Sequence, residues 1–364
     1  MDGELISRLA IPFVPNIGPV QARLLIDHFG SASAIFSARI SELMAIEGIG
    51  KVRARSIKNF KEFDKAKDEL RFIQKYNIHP LFITDADFPK RLLNCADSPV
   101  MLFYKGEANL NLPHIVSIIG TRNHSDYGKL LTEKLVKDLK DLNMLVVSGL
   151  AFGIDGIAHK AAMKYNLATV GVLAHGLDQL YPIQHSAMAK EMVKKGGGLL
   201  TEFFNGIKPD KHNFPARNRI VSGMSDATIV VETGIKGGSI ITADLANGYN
   251  KEVFAFPGRV NDIKSMGCNY LIQQNKATLV TSGEDLIAYM QWDNTTVRKE
   301  KSPLGELSEN ELRIVTILKE KDQTHIDELN AKCDLSYGLV AATVLNLELK
   351  EVVRSLPGKI YRLA

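Results

Sequence analysis

The hydrophobic pattern of the chain changes at His114. From there, short apolar runs alternate with helical segments: HIVSIIG, MLVVSG, ATVGVLAHG, GLLTEFF, ATIVVETG, EVFAFPG and ATLVTS. Runs that are apolar at consecutive positions have no solvent face, so these strands are predicted to be covered on both sides. Strands alternating with helices in this way make an α/β fold, a Rossmann-like, doubly wound and mostly parallel sheet. Right-handed crossovers place the strand-to-helix turns on one edge, where such sheets bind ligands. The preceding stretch, residues 66–112, mixes short strands and turns and reads as an extension of this domain, which then spans 66–291.

An internal repeat precedes it. Val14–Leu25 (VPNIGPVQARLL) and Ile46–Ile57 (IEGIGKVRARSI) share the spacing apolar-x-x-Ile-Gly-x-x-x-Ala. Glycine there permits a tight turn between two helices. Residues 1–65 thus resemble a tandem helix-hairpin-helix, SAM-like unit, whose hairpin amides contact a DNA phosphate. Lys51, Arg53 and Arg55 follow the second turn, so Lys51 and Arg53 are candidate contacts; the first copy has Asn16 for the first glycine and only Arg23 nearby. The alternative is a small helical domain whose hairpins merely pack. A further helix is expected over Lys58–Lys75. Residues 292–306 are polar and read as a linker. Residues 307–364 give three helices and a strand-turn-strand, with Leu356-Pro357-Gly358 at the tip, the layout of a winged helix. In its third helix, Ser336–Lys350, the residues Leu339, Val340, Thr343, Val344 and Leu347 are expected to form the core face.

Bulk properties narrow the partners. Residues 1–65 hold 9 Lys/Arg against 7 Asp/Glu, residues 66–304 hold 28 against 24, and residues 305–364 hold 8 against 10, so a nucleic-acid site must be a local patch. Cys95, Cys268 and Cys333 are far apart and without metal spacing, which fits free buried thiols in a reducing compartment. No apolar run reaches the roughly 18 residues of a membrane span, and the acidic N-terminus lacks a signal-peptide layout. A cytoplasmic protein without membrane contact is expected.

The strand-end turns carry the candidate chemistry. They are rich in glycine: IIGTRNHSDYG, SGLAFGIDGIAH, AHGLDQLYP, ETGIKGGSIITA and FPGR. Glycine lets backbone amides approach a phosphate, and the following helix N-terminus adds a positive dipole. Neither a Walker A motif nor G-x-G-x-x-G is present, so no nucleotide cofactor is expected, and no metal. KPDKHNFPARNRIVSG (Lys208–Gly223) brings Lys208, Lys211, Arg217 and Arg219 together around Phe214, which reads as part of a Pro-bounded loop. Cations interleaved with an aromatic suit a single nucleic-acid strand. The two arginines equally suit ion pairs within the fold.

GTR, SGLAFGIDGIAH, GLDQLYP, FPARNRIVSG, VVETGIKGGSIITADLA and VFAFPG occur in this order. Together they resemble the DNA-processing protein A (DprA, or Smf) family, over essentially the whole chain. The resemblance implies a single-stranded DNA binder that is not an enzyme. It would protect incoming strands in natural transformation, dimerise through the Rossmann-like domain and load RecA. It puts the phosphate-binding arginine at Arg122, a lysine at Lys211, a stacking aromatic at Phe214, and the glycine turns at Gly149, Gly153, Gly237, Gly238 and Ser239. Gly120, Thr121, Arg217, Asn218 and Arg219 complete the candidate set. The chain departs from the family pattern at His185, where Asn is usual, at Gly237-Gly238-Ser239 for Ser-Gly-Ser, and at Thr233 for Ala.

Two other classes compete. An enzyme acting on a nucleotide or phosphosugar could use Asp155 and His159, spaced i,i+4 on one helix, or Glu202 and Glu232 at strand ends. The plainer reading is that Asp155 caps a helix and His159 packs beside it. A nuclease would need clustered carboxylates for metals, which the sequence lacks.

Overall fold

The computed structural model describes residues 2–292, 307–321, 323–350 and 352–363. It divides into two compact units, Met1–Asp293 and Asn294–Ala364. The linker expected at 292–306 lies, beyond Trp292, outside the described residues.

The first unit opens with six helices: α1 (Asp2–Ala10), α2 (Pro19–Phe29), α3 (Ala32–Ser37), α4 (Ile40–Met44), α5 (Lys51–Lys58) and α6 (Phe63–Tyr76). Both repeats place a hairpin turn before a helix, α2 or α5. The two turns are equivalent in backbone: Asn16 has φ +66° and Gly48 has φ +84°. Asparagine tolerates this left-handed conformation better than other side chains do, which explains why it replaces glycine in the first copy. Ile17 and Ile49, next in each turn, are buried. The helix expected over Lys58–Lys75 instead starts at Phe63, after a break at 59–62. It buries Ala66, Glu69, Leu70 and Ile73, an i, i+3, i+4, i+7 stripe, and packs on α1. A division at residue 65 therefore cuts the first turn of α6. The helices also share a continuous apolar core with the sheet. Phe13, for example, lies 4.2 Å from Phe204, ring centre to ring centre.

The sheet strands are β1 (His79–Phe82), β2 (Met101–Gly106), β3 (His114–Ile119), β4 (Met144–Ser148), β5 (Ala168–Val172), β6 (Gly198–Thr201), β7 (Ala227–Val230), β8 (Glu252–Ala255) and β9 (Thr278–Leu279). Their order is β1-β2-β6-β5-β4-β3-β7-β8-β9. The seven strands read from the sequence are β3–β9, and all pair in parallel. The extension joins the same sheet: β2 pairs antiparallel with β6, and β1 with β2. Every residue of β4 and of β7 is buried, as their unbroken apolar runs require. The connecting helices are α7 (Asp126–Asp138), α8 (Ile154–Lys164), α9 (Ser186–Lys194), α10 (Asn213–Gly223), α11 (Gly238–Gly248), α12 (Met266–Gln273) and α13 (Gly283–Met290).

Strand order decides where a ligand can sit. The parallel part of the sheet starts at β3, winds outward through β4, β5 and β6, then returns to β7 on the other side of β3. The reversal between β3 and β7 opens a crevice beyond the carboxyl ends of these strands.

The second unit is a winged helix: α14 (Glu309–Glu320), β10 (Thr324–His325), α15 (Ile326–Lys332), α16 (Tyr337–Leu349), β11 (Val353–Leu356) and β12 (Ile360–Leu363). Leu356 pairs with Ile360 across Pro357-Gly358-Lys359, with Gly358 at φ +88°. Helix α16 buries Val340, Thr343, Val344 and Leu347. Leu339, expected with them, is 41% exposed. Position 339 precedes the i, i+3, i+4, i+7 stripe by one residue, about 100° away around the helix.

Candidate nucleic-acid interface

A cavity of about 320 Å³ occupies the switch-point crevice. Three turns build it: 120–122 after β3, 149–155 after β4 and 233–239 after β7; the start of α10 closes it. Each turn is locked from behind. The Thr121 amide donates to the Glu232 carbonyl (2.7 Å), and the Glu232 carboxylate accepts from the Ser125 amide (2.8 Å) and hydroxyl (2.5 Å). Glu232 thus anchors the GTR turn to the start of α7. At Gly153, φ is +77° and a Cβ would collide with the Thr121 carbonyl, so only glycine fits.

The site's charge is positive. Arg122 and Lys211 are exposed at the mouth, Arg217 is buried in the wall, and Asp155 is the acid among them. Arg217 donates Nη1 to the carbonyls of Gly149 and Val172 (2.6 Å to Val172), and Nε to the Asn218 side chain (3.0 Å). Burial draws Arg217 down to about 10, Asp155 opposing the shift, which leaves it cationic at neutral pH. Gly149 is required here because a Cβ would stand 2.5 Å from that guanidinium. At the opposite wall, Gly237 caps α11 and the first amides of the helix, those of Gly238 and Ser239, have no intrahelical acceptor. An anion in the cavity would meet these donors, the helix dipole and three cations.

The candidate residues separate into three groups. Gly120, Thr121, Arg122, Gly149, Lys211, Phe214, Arg217, Asn218, Gly237, Gly238 and Ser239 line the cavity, and Gly153 supports the Thr121 turn. Arg219 does not belong with them. It donates to the Asp97 carbonyl and the Glu202 carboxylate, an internal pair with 12% and 15% of the two side chains exposed. Residues 217 and 219 face apart because they lie two positions apart on α10, about 200° around it. Arg53 spans the two hairpins, donating to the carbonyls of Asn16 (3.2 Å) and Gly48 (2.8 Å), whereas Lys51 is exposed at the start of α5.

Phe214 is not in a loop: it stands in the first turn of α10, half-buried. Its ring carries the Arg122 guanidinium at 5.1 Å and the Arg217 guanidinium at 5.9 Å, both in cation–π range. Asp155 does not cap its own helix, since Gly153 is the cap residue. Its carboxylate accepts from the amides of Gly149 (3.1 Å) and Ala151 (3.4 Å), shaping the β4 turn. His159 is fully buried, outside the cavity lining, and bonded through Nδ1 to Thr169 (2.7 Å); burial lowers it to about 3.

The three family departures have structural partners. His185 Nδ1 donates to the Leu150 carbonyl (2.9 Å) in the β4 turn. Thr233 and Gly237 face each other: a Cβ at 237 would overlap the Thr233 hydroxyl. That hydroxyl accepts from Ser239 (2.7 Å). Thr233 lines the cavity and was noted in the sequence only as a departure.

Residues 79–291 match the family model described as DNA recombination-mediator protein A. The chain belongs to this family. Residues 298–359 match the DprA winged helix domain, and residues 5–69 a helix-hairpin-helix motif. Protein Smf of Synechocystis is 31% identical over 97% of both chains. The crystal structure of DprA from Streptococcus pneumoniae superposes with a TM-score of 0.65 at 32% identity, covering 78% of this chain and 96% of that one. The Helicobacter pylori DprA structure, described for its single-stranded DNA binding mode, superposes with a TM-score of 0.54 at 30% identity, covering 60% and 97%. Among the described residues there is no His/Cys/Asp/Glu group that could hold a metal ion, and no helix long and apolar enough to cross a membrane.

Proposed function

We propose that this chain binds single-stranded DNA at the switch-point cavity and passes the strand to a RecA-type recombinase, as a mediator in natural transformation or related recombination. One observation carries the reading: Arg122, Lys211, Arg217 and the start of α11 converge on one cavity whose lining holds a single acid, Asp155. A backbone phosphate in this cradle meets donors on three sides without any base being read. Relatives named for DNA processing, and the single-strand binding mode described for the H. pylori protein, support the same assignment. We further propose that it works as a homodimer through the Rossmann-like unit, in the cytoplasm, and as a binder rather than an enzyme. Buried His159, outside the cavity, is poorly placed to act as a base on a bound molecule.

Binding of single- and double-stranded oligonucleotides at two salt concentrations tests the reading. Single strands should win, with affinity falling steeply as salt rises. Arg122→Ala should weaken binding for every sequence and lower the salt slope by about 0.7. A folded variant with unchanged affinity and slope removes Arg122 from the site. Adding RecA to strands precoated with the protein should speed filament growth; no effect on filament growth would refute the hand-over.

A further inference from the structure

Beside the phosphate cavity lies a second, much smaller cleft with a partly different lining. Phe152 comes from the turn after β4, and Tyr181 and Pro182 from the turn after β5; Arg122 and Phe214 form the shared border. Phe152 is 41% exposed and Tyr181 is 48% exposed. Lone exposed apolar residues need no explanation. Two exposed aromatic rings from separate turns, lining one cleft that shares Arg122 and Phe214 with a cationic cavity, do call for one.

Both rings stand on secured backbone. The Tyr181 amide donates to Nε2 of buried His175 (3.1 Å), whose Nδ1 donates to the Gly176 carbonyl (2.9 Å). That pattern requires the neutral ring, and burial lowers His175 accordingly. Phe152 rests edge-on against the His185 ring, 5.1 Å between centres, and His185 is itself tied to Leu150. The Tyr181 and Phe214 rings are 6.2 Å apart at 53°. Phe214 is committed to the guanidiniums of Arg122 and Arg217, so the aromatic surface left to a ligand is that of Tyr181 and Phe152.

We propose that Tyr181 and Phe152 form a base-stacking rail for the nucleotides flanking the phosphate held at Arg122. This rests on the single-strand reading above and assigns it a second subsite. The ligand class is the unpaired nucleobase, of any identity, since every base offers a flat π-face. A duplex buries those faces against one another, so the rail also supplies a reason for single strands to be preferred. Phosphates go to the cavity and bases to the rail, one strand thereby touching both.

An abasic strand separates the two subsites, because it keeps every phosphate and loses every base. Full-length protein is titrated with oligothymidylate and with an abasic oligomer of equal length. The wild type should bind the thymidylate about fivefold to a hundredfold more tightly, the value of one stacked base. Tyr181→Leu and Phe152→Leu should each weaken thymidylate binding by about fivefold or more and leave abasic binding unchanged. Arg122→Ala should weaken both. Thermal melts confirm that the leucine variants are folded, and a 2-aminopurine base should lose less fluorescence on binding Tyr181→Leu than on binding the wild type. Equal affinity of the wild type for both strands, or leucine variants that bind thymidylate normally, overturns the rail while leaving the phosphate reading intact. Failure of the wild type to bind either strand overturns both.

Discussion

Thr233 and Gly237 make a quantitative test of how the cavity wall is packed. Gly237 has φ −72° and ψ 147°, a conformation open to any residue, so Gly237→Ser costs nothing in the backbone. The cost is steric. The new Cβ overlaps the Thr233 hydroxyl, and Thr233 is fully buried. Moving the threonine aside is costly, because its hydroxyl donates to the Gly234 carbonyl (3.2 Å) and accepts from Ser239 (2.7 Å). Overpacking of this kind costs about 1–3 kcal/mol. Thr233→Ala alone opens a small void and frees the Ser239 hydroxyl, about 1–2 kcal/mol. In the double variant the void receives the serine, and the total should fall short of the sum of the singles by at least 1 kcal/mol or so. The assay is urea denaturation followed by tryptophan fluorescence. Trp292, the only tryptophan, packs 4.7 Å from the His114 ring and therefore reports on the first unit. Additivity within about 0.5 kcal/mol would refute the steric coupling and make the two departures from the family pattern independent.

Other variants address the remaining assignments. Phe214→Leu removes the ring beneath Arg122 and should weaken thymidylate and abasic strands alike; a loss confined to the thymidylate would make Phe214 a base platform instead. Arg219→Met strands the Glu202 carboxylate and should destabilise the fold by about 3–5 kcal/mol while the folded fraction binds DNA normally; a binding defect in stably folded protein would return Arg219 to the interface. Burial holds Glu69 at about 7 against an ordinary 4.5. The folded state therefore keeps this proton longer than the unfolded state does, and its stabilising contribution, complete below about pH 4.5, is lost as pH rises through 7, about 3 kcal/mol in all. Glu69→Gln should flatten that decline in a pH series of denaturation midpoints, and an unchanged pH profile would show Glu69 ionising normally.

The sheet was legible because its cause is local. Continuous apolar runs such as MLVVS and ATIVV have only one solution, burial on both faces, and β3–β9 appear where those runs stand. The repeat was legible for a similar reason: Asn16 and Gly48 mark the same positive φ. The wing tip likewise follows from Pro357-Gly358. Charge and aromaticity named the region of the site without saying which way each side chain turns. Arg217 and Arg219 look alike in FPARNR, and only their separation around α10, with Gly149 below one and Glu202 beside the other, divides cavity wall from internal pair. Phe214 read as a loop residue because KPDKHNFP carries no helical period; the start of α10 at Asn213 and the two guanidiniums over the ring depend on the packed sheet edge. The antiparallel docking of β1 and β2, and the fit of Thr233 against Gly237, likewise arise between segments far apart or around a turn. Unbroken apolar runs and the positive-φ turns are properties of short windows, so the sequence alone determined them. Side-chain partners are set by which windows meet, and that was decided only when the chain wound outward from β3 and came back to β7.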